Sequence, residues 1–240
     1  MARRKAYVAM DTNSLLRFVY AIATARHKNE QTVKRRVVET KILEILVTDY
    51  VLKETRRNIE SVIRSANLRK HGWFLPAEEV ARRVENELES LIAAGVVVNI
   101  EEPRDSGYAR ALLAVQHRPR RRVLLPFADR LAECLRQNAC SKKIEKDIPV
   151  AMGFLLAYDV AAVVPLSSRA GVVSPPFVAV TYDVDFLCAL HLCLHQLGIA
   201  GKILLLRYSE FSRQLYDWLG GSNPTQDMGI VQLCANRCQH

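Results

Sequence analysis

The chain reads as an α/β sandwich built on a mainly parallel sheet, and two observations predict it. Five short segments are apolar runs bounded by turn signals: 6–10 (AYVAM), 45–48 (ILVT), 96–100 (VVVNI), 177–181 (FVAVT) and 202–206 (KILLL). They do not alternate with polar residues, which is the pattern of strands covered on both faces. Helical patterns fall between them, so strand and helix alternate along the chain.

Taken in order, the first strand ends on Asp11 and leads into a predicted helix over 13–25. Helical spacing recurs over 31–43, ahead of the second strand, and over 49–67 and 77–94 between the second and third. After the third strand come patterns over 106–116, 127–139 and 144–159. The fourth strand precedes a helix over 184–197, and the fifth closes the series. Two stretches, HRPRRRVLLP at 117–126 and VVPLSSRAGVVSPP at 163–176, carry the Pro, Ser and Gly of loops and read as excursions from the sheet edge. With no repeat and no linker, residues 1–219 form one expected domain with insertions near 117–143 and 160–176; 220–240, from GGSNP onward, is a tail.

Composition narrows the class. Half of the residues are apolar, which suits a buried core, but no run approaches the roughly 18 apolar residues of a membrane span. The basic start MARRK is followed by an apolar run too short for a secretory signal, so the expected location is cytoplasmic. Six cysteines without CxxC pairs argue against a disulfide scaffold and a zinc ribbon, and most of them read as small buried hydrophobes. The net charge is +9, clumped at 2–5, 34–36, 56–57, 82–83 and in RPRRR at 118–122. Such clusters favour a polyanion, nucleic acid first; the competing reading is arginine paired with nearby glutamate on exposed helices.

The informative residues are acids in unfavourable places. In an open α/β sheet the ligand site gathers at the carboxyl ends of the strands. Asp11 sits at that end of the first strand and Asp183 just past Thr181 at the end of the fourth, with Asp185 two residues on. Asp147 shares a helical face with Val150, Ala151, Phe154 and Leu155. Glu54 falls in register with Val47, Tyr50, Val51 and Val62, mid-helix, where no capping role explains it. Asp11 and Asp183 could instead be helix N-caps, and Asp147 a first-turn residue favoured by the helix dipole. Converging carboxylates repel unless a cation neutralises them, and an all-oxygen donor set suits Mg²⁺ or Mn²⁺. Phosphodiester hydrolysis is the chemistry that uses such a site.

In this order and spacing, MDTNSLL, Glu54 in LVTDYVLKE, KDIPVAMGFLLA and VTYDVDF resemble the PIN-domain ribonucleases over residues 7–186, and over the last strand to about 206. The resemblance implies a three-layer α/β/α sandwich with a five-stranded parallel sheet and Mg²⁺- or Mn²⁺-dependent cleavage of single-stranded RNA. It makes Asp11, Glu54, Asp147 and Asp183 the metal-binding acids, with Asp185 an alternative fourth, and gives Asn13 and Thr181 the task of holding the acids by hydrogen bonds. Arg118, Arg120, Arg121 and Arg122 are the expected RNA-backbone contacts. An antitoxin-like protein partner and a homodimer are compatible with it. The chain departs from compact members in its additions at 117–143 and 160–176 and in Pro149, where plain helix formers are usual.

Two rival readings are a non-catalytic PIN-fold RNA-binding protein and a flap-type DNA nuclease, the latter disfavoured by the lack of a recognisable helix–hairpin–helix stretch. CALHLCLH at 188–195 invites a zinc reading, but Cys188, His191 and His195 would share a helix face that Cys193 does not. No Gly-rich phosphate loop occurs.

Overall fold

The computed structural model describes residues 6–24, 36, 39–40, 43–65, 75–101, 122–138, 143–167, 177–219, 225 and 234. Five strands, β1 (Ala6–Met10), β2 (Leu43–Val47), β3 (Val97–Asn99), β4 (Phe177–Thr181) and β5 (Leu204–Arg207), pair in the order β3-β2-β1-β4-β5, all parallel. Seven helices occur among the described residues: α1 (Thr12–Ala23), α2 (Asp49–Ser65), α3 (Ala77–Ala93), α4 (Ala128–Gln137), α5 (Ile144–Ser167), α6 (Val184–Gln196) and α7 (Tyr208–Leu219). The result is the three-layer α/β/α sandwich.

One helical layer holds α1 against α2 and α3, and against α7 through Phe18 and Phe211, whose rings lie 6.1 Å apart. The other holds α5 against α4 and α6, with Phe154 6.2 Å from Phe186. β1 is central, and Val8, Ala9 and Met10 are at most 1% exposed, which is why its sequence shows no alternation. From β1 the chain builds outward one way to β2 and β3, then returns to β4 and β5 on the other side. The crevice between β1 and β4 is therefore the topological switch point, where open parallel sheets take ligands.

Several boundaries move from their sequence expectation for identifiable reasons. β2 begins at Leu43, not 45, because Glu44 lies in the sheet opposite Tyr7, 4% exposed, and a buried acid interrupts the apolar signal. Burial pushes its carboxyl up to about 8. The helix expected over 31–43 lies mostly outside the described residues, and its last position is the first of β2; the one expected over 106–116 lies wholly outside them. α5 runs to Ser167, so the start of the region taken as an insertion, 160–167, continues that helix; α4 likewise packs into the body, with Leu131 and Leu135 fully buried. Pro149 falls at the sixth position of α5, past the first turn. α7 was not expected, although Phe211, Leu215 and Trp218 recur at helical spacing and are all buried.

Two contacts set the position of α5. Asp159, fully buried, accepts N–H groups from Val123, Leu124 and Leu125 at 3.1, 2.8 and 3.0 Å, lashing the start of the α4 segment to the helix. Gly153 faces Thr48 at the end of β2 so closely that a Cβ there would meet Thr48 Cγ2 at 2.9 Å. The close approach holds α5 against the sheet. Gly153→Ala is expected to lower stability by about 1–3 kcal/mol through overpacking, despite alanine's better helix propensity. A shift of the urea midpoint at constant slope measures it; an unchanged or raised midpoint would contradict the tight approach.

Candidate active site

Asp11 is the first residue beyond β1 and only 6% exposed. Its Oδ1 accepts the Ser14 N–H at 2.6 Å, which makes it the N-cap of α1. Its Oδ2 accepts the Thr181 hydroxyl at 2.5 Å and the Tyr182 N–H at 3.1 Å, both from the end of β4. Its own N–H donates to the Val180 carbonyl, extending the β1–β4 ladder by one residue. Burial raises the Asp11 carboxyl above the usual range, and the hydrogen bonds from Ser14, Thr181 and Tyr182 oppose that only in part.

Asp183 caps α6, its Oδ1 accepting N–H groups from Asp185 and Phe186 at 2.9 and 3.2 Å. Glu54 is half-buried on α2, beside the buried row Val51, Leu52, Thr55, Ile59 and Ile63, and takes a hydrogen bond on Oε2 from the Thr12 hydroxyl of α1. Two of the residues used to infer its inward direction are exposed: Tyr50 by 37% and Val62 by 42%. Glu54 reaches inward as the edge of the buried face, and Thr12 anchors it there. Asp147 is half-buried in the first turn of α5, above Val150, Ala151, Phe154 and Leu155, all buried.

Asp11, Glu54, Asp147 and Asp183, supplied by four separate segments, line one cavity of about 240 Å³ at the switch point. Thr12, Asn58, Lys143 and Lys146 share its wall. Like charges act on each other across it: burial first, then Asp183 and Asp11, push the Asp147 carboxyl up to about 6, with Lys143 opposing. Asp147 Oδ2 is buried and has no hydrogen-bond partner among the described residues. Among the described residues, no three His, Cys, Asp or Glu side chains form a group that could hold a metal ion. The four acids stand around the cavity rather than on one point. The donor chemistry nonetheless fits a hard divalent ion: every acid donor is a carboxylate oxygen, one buried oxygen is unpartnered, and at roughly 30 Å³ per water the cavity admits the several waters such an ion retains.

The supporting residues divide. Thr181 holds Asp11 directly, while Asn13 is exposed, lines the cavity and makes no hydrogen bond to an acid among the described residues. Asp185 contributes its N–H to the Asp183 cap but does not line the cavity. Arg118, Arg120 and Arg121 lie outside the described residues. Arg122 is exposed and acts on Asp159, twelve residues along α5 from Asp147 and so about 18 Å down that helix, away from the acids. Arg56, Arg64, Arg82 and Arg83 pair with Glu89, Glu60 and Glu78, Glu79, and Glu79 in turn on the exposed faces of α2 and α3. Part of the clumped charge is thus spent locally. Sequence reasoning missed Thr12, Ser14, Lys143 and Lys146. The first two followed Asp11 in plain view as hydroxyl residues of a helix start, whereas the lysines depended on where α5 docks.

The cysteines are corrected. Cys134 pairs with Cys193 and Cys188 with Cys234, at Cα separations of 5.7 and 5.0 Å. Cys134, Cys188 and Cys193 are buried as expected and Cys234 partly so, but as disulfides, because α4 packs on α6 and residue 234 reaches α6, contacts with sequence separations of 59 and 46. Cys140 and Cys238 lie outside the described residues. Disulfided Cys188 and Cys193 cannot be zinc thiolates; His191 and His195 only pack edge to face, 4.5 Å apart.

No helix among the described residues is long and apolar enough to cross a membrane. Comparison with protein-family models, with curated proteins and with solved structures gives no match.

The raised Asp147 carboxyl makes a signed prediction. Its folded value, about 6, exceeds its ordinary 3.8, so the folded state binds the proton more tightly and stability falls as pH rises between those values. Without divalent ions, Asp147→Asn is expected to flatten the decline in Tm between about pH 4 and pH 7 and to raise Tm near neutrality. Identical pH profiles for the two proteins would show that Asp147 does not carry this charge strain.

Proposed function

We propose that this chain is a PIN-type endoribonuclease that hydrolyses phosphodiester bonds of single-stranded RNA with Mg²⁺ or Mn²⁺. One observation carries the reading: carboxylates from four segments distant in sequence face a single cavity at the sheet's switch point, with a buried Asp147 oxygen unpartnered there. Caps account for Asp11 and Asp183 but not for Glu54 or Asp147. The motif resemblance and the basic surplus point the same way.

Asp11, Glu54, Asp147 and Asp183 would hold the ion. When bound, it would polarise the scissile phosphate and lower the pKa of an attacking water. The chain's own part is positioning. Ser14, Thr181 and Tyr182 fix both oxygens of Asp11, and Thr12 fixes Glu54, so these carboxylates meet a ligand without first losing side-chain freedom. Lys143 and Lys146 place positive charge on the wall of an otherwise acidic cavity, where a phosphate must approach.

A second reading, a non-catalytic RNA-binding protein of the same fold, is favoured by the lack of a closed ligand group among the described residues. A titration of Mg²⁺ and Mn²⁺ against labelled single-stranded RNA, flap DNA and duplex DNA separates the readings. Cleavage of the single-stranded RNA alone is expected, together with loss of about a hundredfold or more in Glu54→Gln and in Asp11→Asn. Glu54→Gln is the cleaner variant, since its amide oxygen can still accept from Thr12, whereas Asp11→Asn disturbs a buried hub. Full activity in Glu54→Gln, or cleavage indifferent to EDTA, would overturn the assignment.

A further inference from the structure

We propose that Tyr182 is a base-stacking position beside the acid cavity, next in sequence to its lining residue Asp183, with Arg17 as the residue that positions its ring. The nucleobase as ligand rests on the nuclease reading above; the geometry does not. Tyr182 stands between Thr181, which is fully buried, and Asp183, which lines the cavity, yet it is 47% exposed. Its backbone N–H donates to Asp11 Oδ2 at 3.1 Å, so the ring's place is tied to the hub of the site. The Arg17 guanidinium, on the exposed side of α1, lies 3.7 Å from the ring centroid. A stacked guanidinium limits the ring's rotamers before any ligand arrives and brings a positive charge to the same spot.

The occupant follows from what surrounds the ring. A protein side chain docking here would need a contiguous apolar patch. The other large apolar residues exposed among the described ones are Tyr50 and Val62 on α2 and Val123 ahead of α4; Tyr50 belongs to the α5 side of the site, where its hydroxyl donates to the Lys146 carbonyl. A nucleobase needs only one aromatic face and accepts stacking regardless of sequence. Cationic groups stand on both sides of the sheet edge: Arg17 on the α1 layer, Lys143 and Lys146 on the α5 layer. A strand whose phosphate enters the acid cavity between those layers passes Tyr182, one residue from Asp183.

Tyr182→Ala and Tyr182→Phe both keep the backbone N–H that supports Asp11, so the ring can be tested alone. Fluorescence anisotropy in EDTA would compare a labelled single-stranded oligoadenylate with an abasic sugar-phosphate chain of equal length, for the wild type and for Tyr182→Ala, Tyr182→Phe and Arg17→Ala. The wild type is expected to prefer the base-bearing strand; Tyr182→Ala should weaken that strand about tenfold and the abasic chain little, while Tyr182→Phe retains the preference. Arg17→Ala should reduce the preference in part. Equal weakening of both strands in Tyr182→Ala, no weakening, or no binding by the wild type overturns the stacking role. Since the readout needs no metal, base-dependent binding without cleavage would retire the nuclease reading and keep this one, and cleavage with an indifferent Tyr182 would do the reverse.

Discussion

A buried carboxylate at the end of the central strand is the constraint on which the rest of the site depends. Asp11 draws three hydrogen bonds from two elements that meet only in the folded chain: Ser14 opening α1, and Thr181 and Tyr182 ending β4. Each bond to a charged group contributes on the order of 1.5–3 kcal/mol, set against the cost of removing a carboxylate from water. Burial still leaves the group harder to ionise than a free aspartate. The hub therefore joins β1, α1 and β4 at the switch point while keeping a strained charge there.

The same economy governs the surroundings. Thr12, next in sequence to the hub, carries the link onward to Glu54 on α2, and Asp183 both caps α6 and faces the cavity. Capping and ligand binding are thus compatible roles for one carboxylate, because the Asp183 cap engages Oδ1 alone and a carboxylate has about four acceptor sites over its two oxygens. Opposite this cluster, α5 delivers Asp147 and Lys146, with Lys143 just ahead of it, and the helix is fixed remotely by the Asp159 lash and the Gly153–Thr48 contact. The disulfides Cys134–Cys193 and Cys188–Cys234 hold α4 and residue 234 to α6. Disulfides persist in oxidising compartments and in the interior of some thermophiles, so their presence removes the ground for reading these cysteines as plain core hydrophobes.

Much of this was legible where the signal was local. The apolar runs of β1 and β4 survive nearly residue for residue, because strands covered on both faces tolerate few polar interruptions. β2 lost its first residues to Glu44, and α7 went unread although Phe211, Leu215 and Trp218 mark its buried face. Asp147 was readable from helical spacing. Glu54 was reached by an argument of which Tyr50 and Val62, both exposed, formed part. Periodicity gives the centre of a helix face more reliably than its edge, and Glu54 sits on the edge.

The amino-acid sequence alone determined the alternation of strand and helix, the position of Asp11 and Asp183 at strand ends, and the excess of positive charge, since these rest on neighbours in the chain. Only the tertiary structure decided which acids share a cavity, that Thr12 rather than Asn13 holds Glu54, that Arg122 lies far down α5 from the acids, and which cysteines meet. Those facts depend on the order β3-β2-β1-β4-β5 and on how the helices dock upon it. Contacts between residues 59 or 170 positions apart leave no periodic trace in a single chain, because packing, not spacing, brings them together.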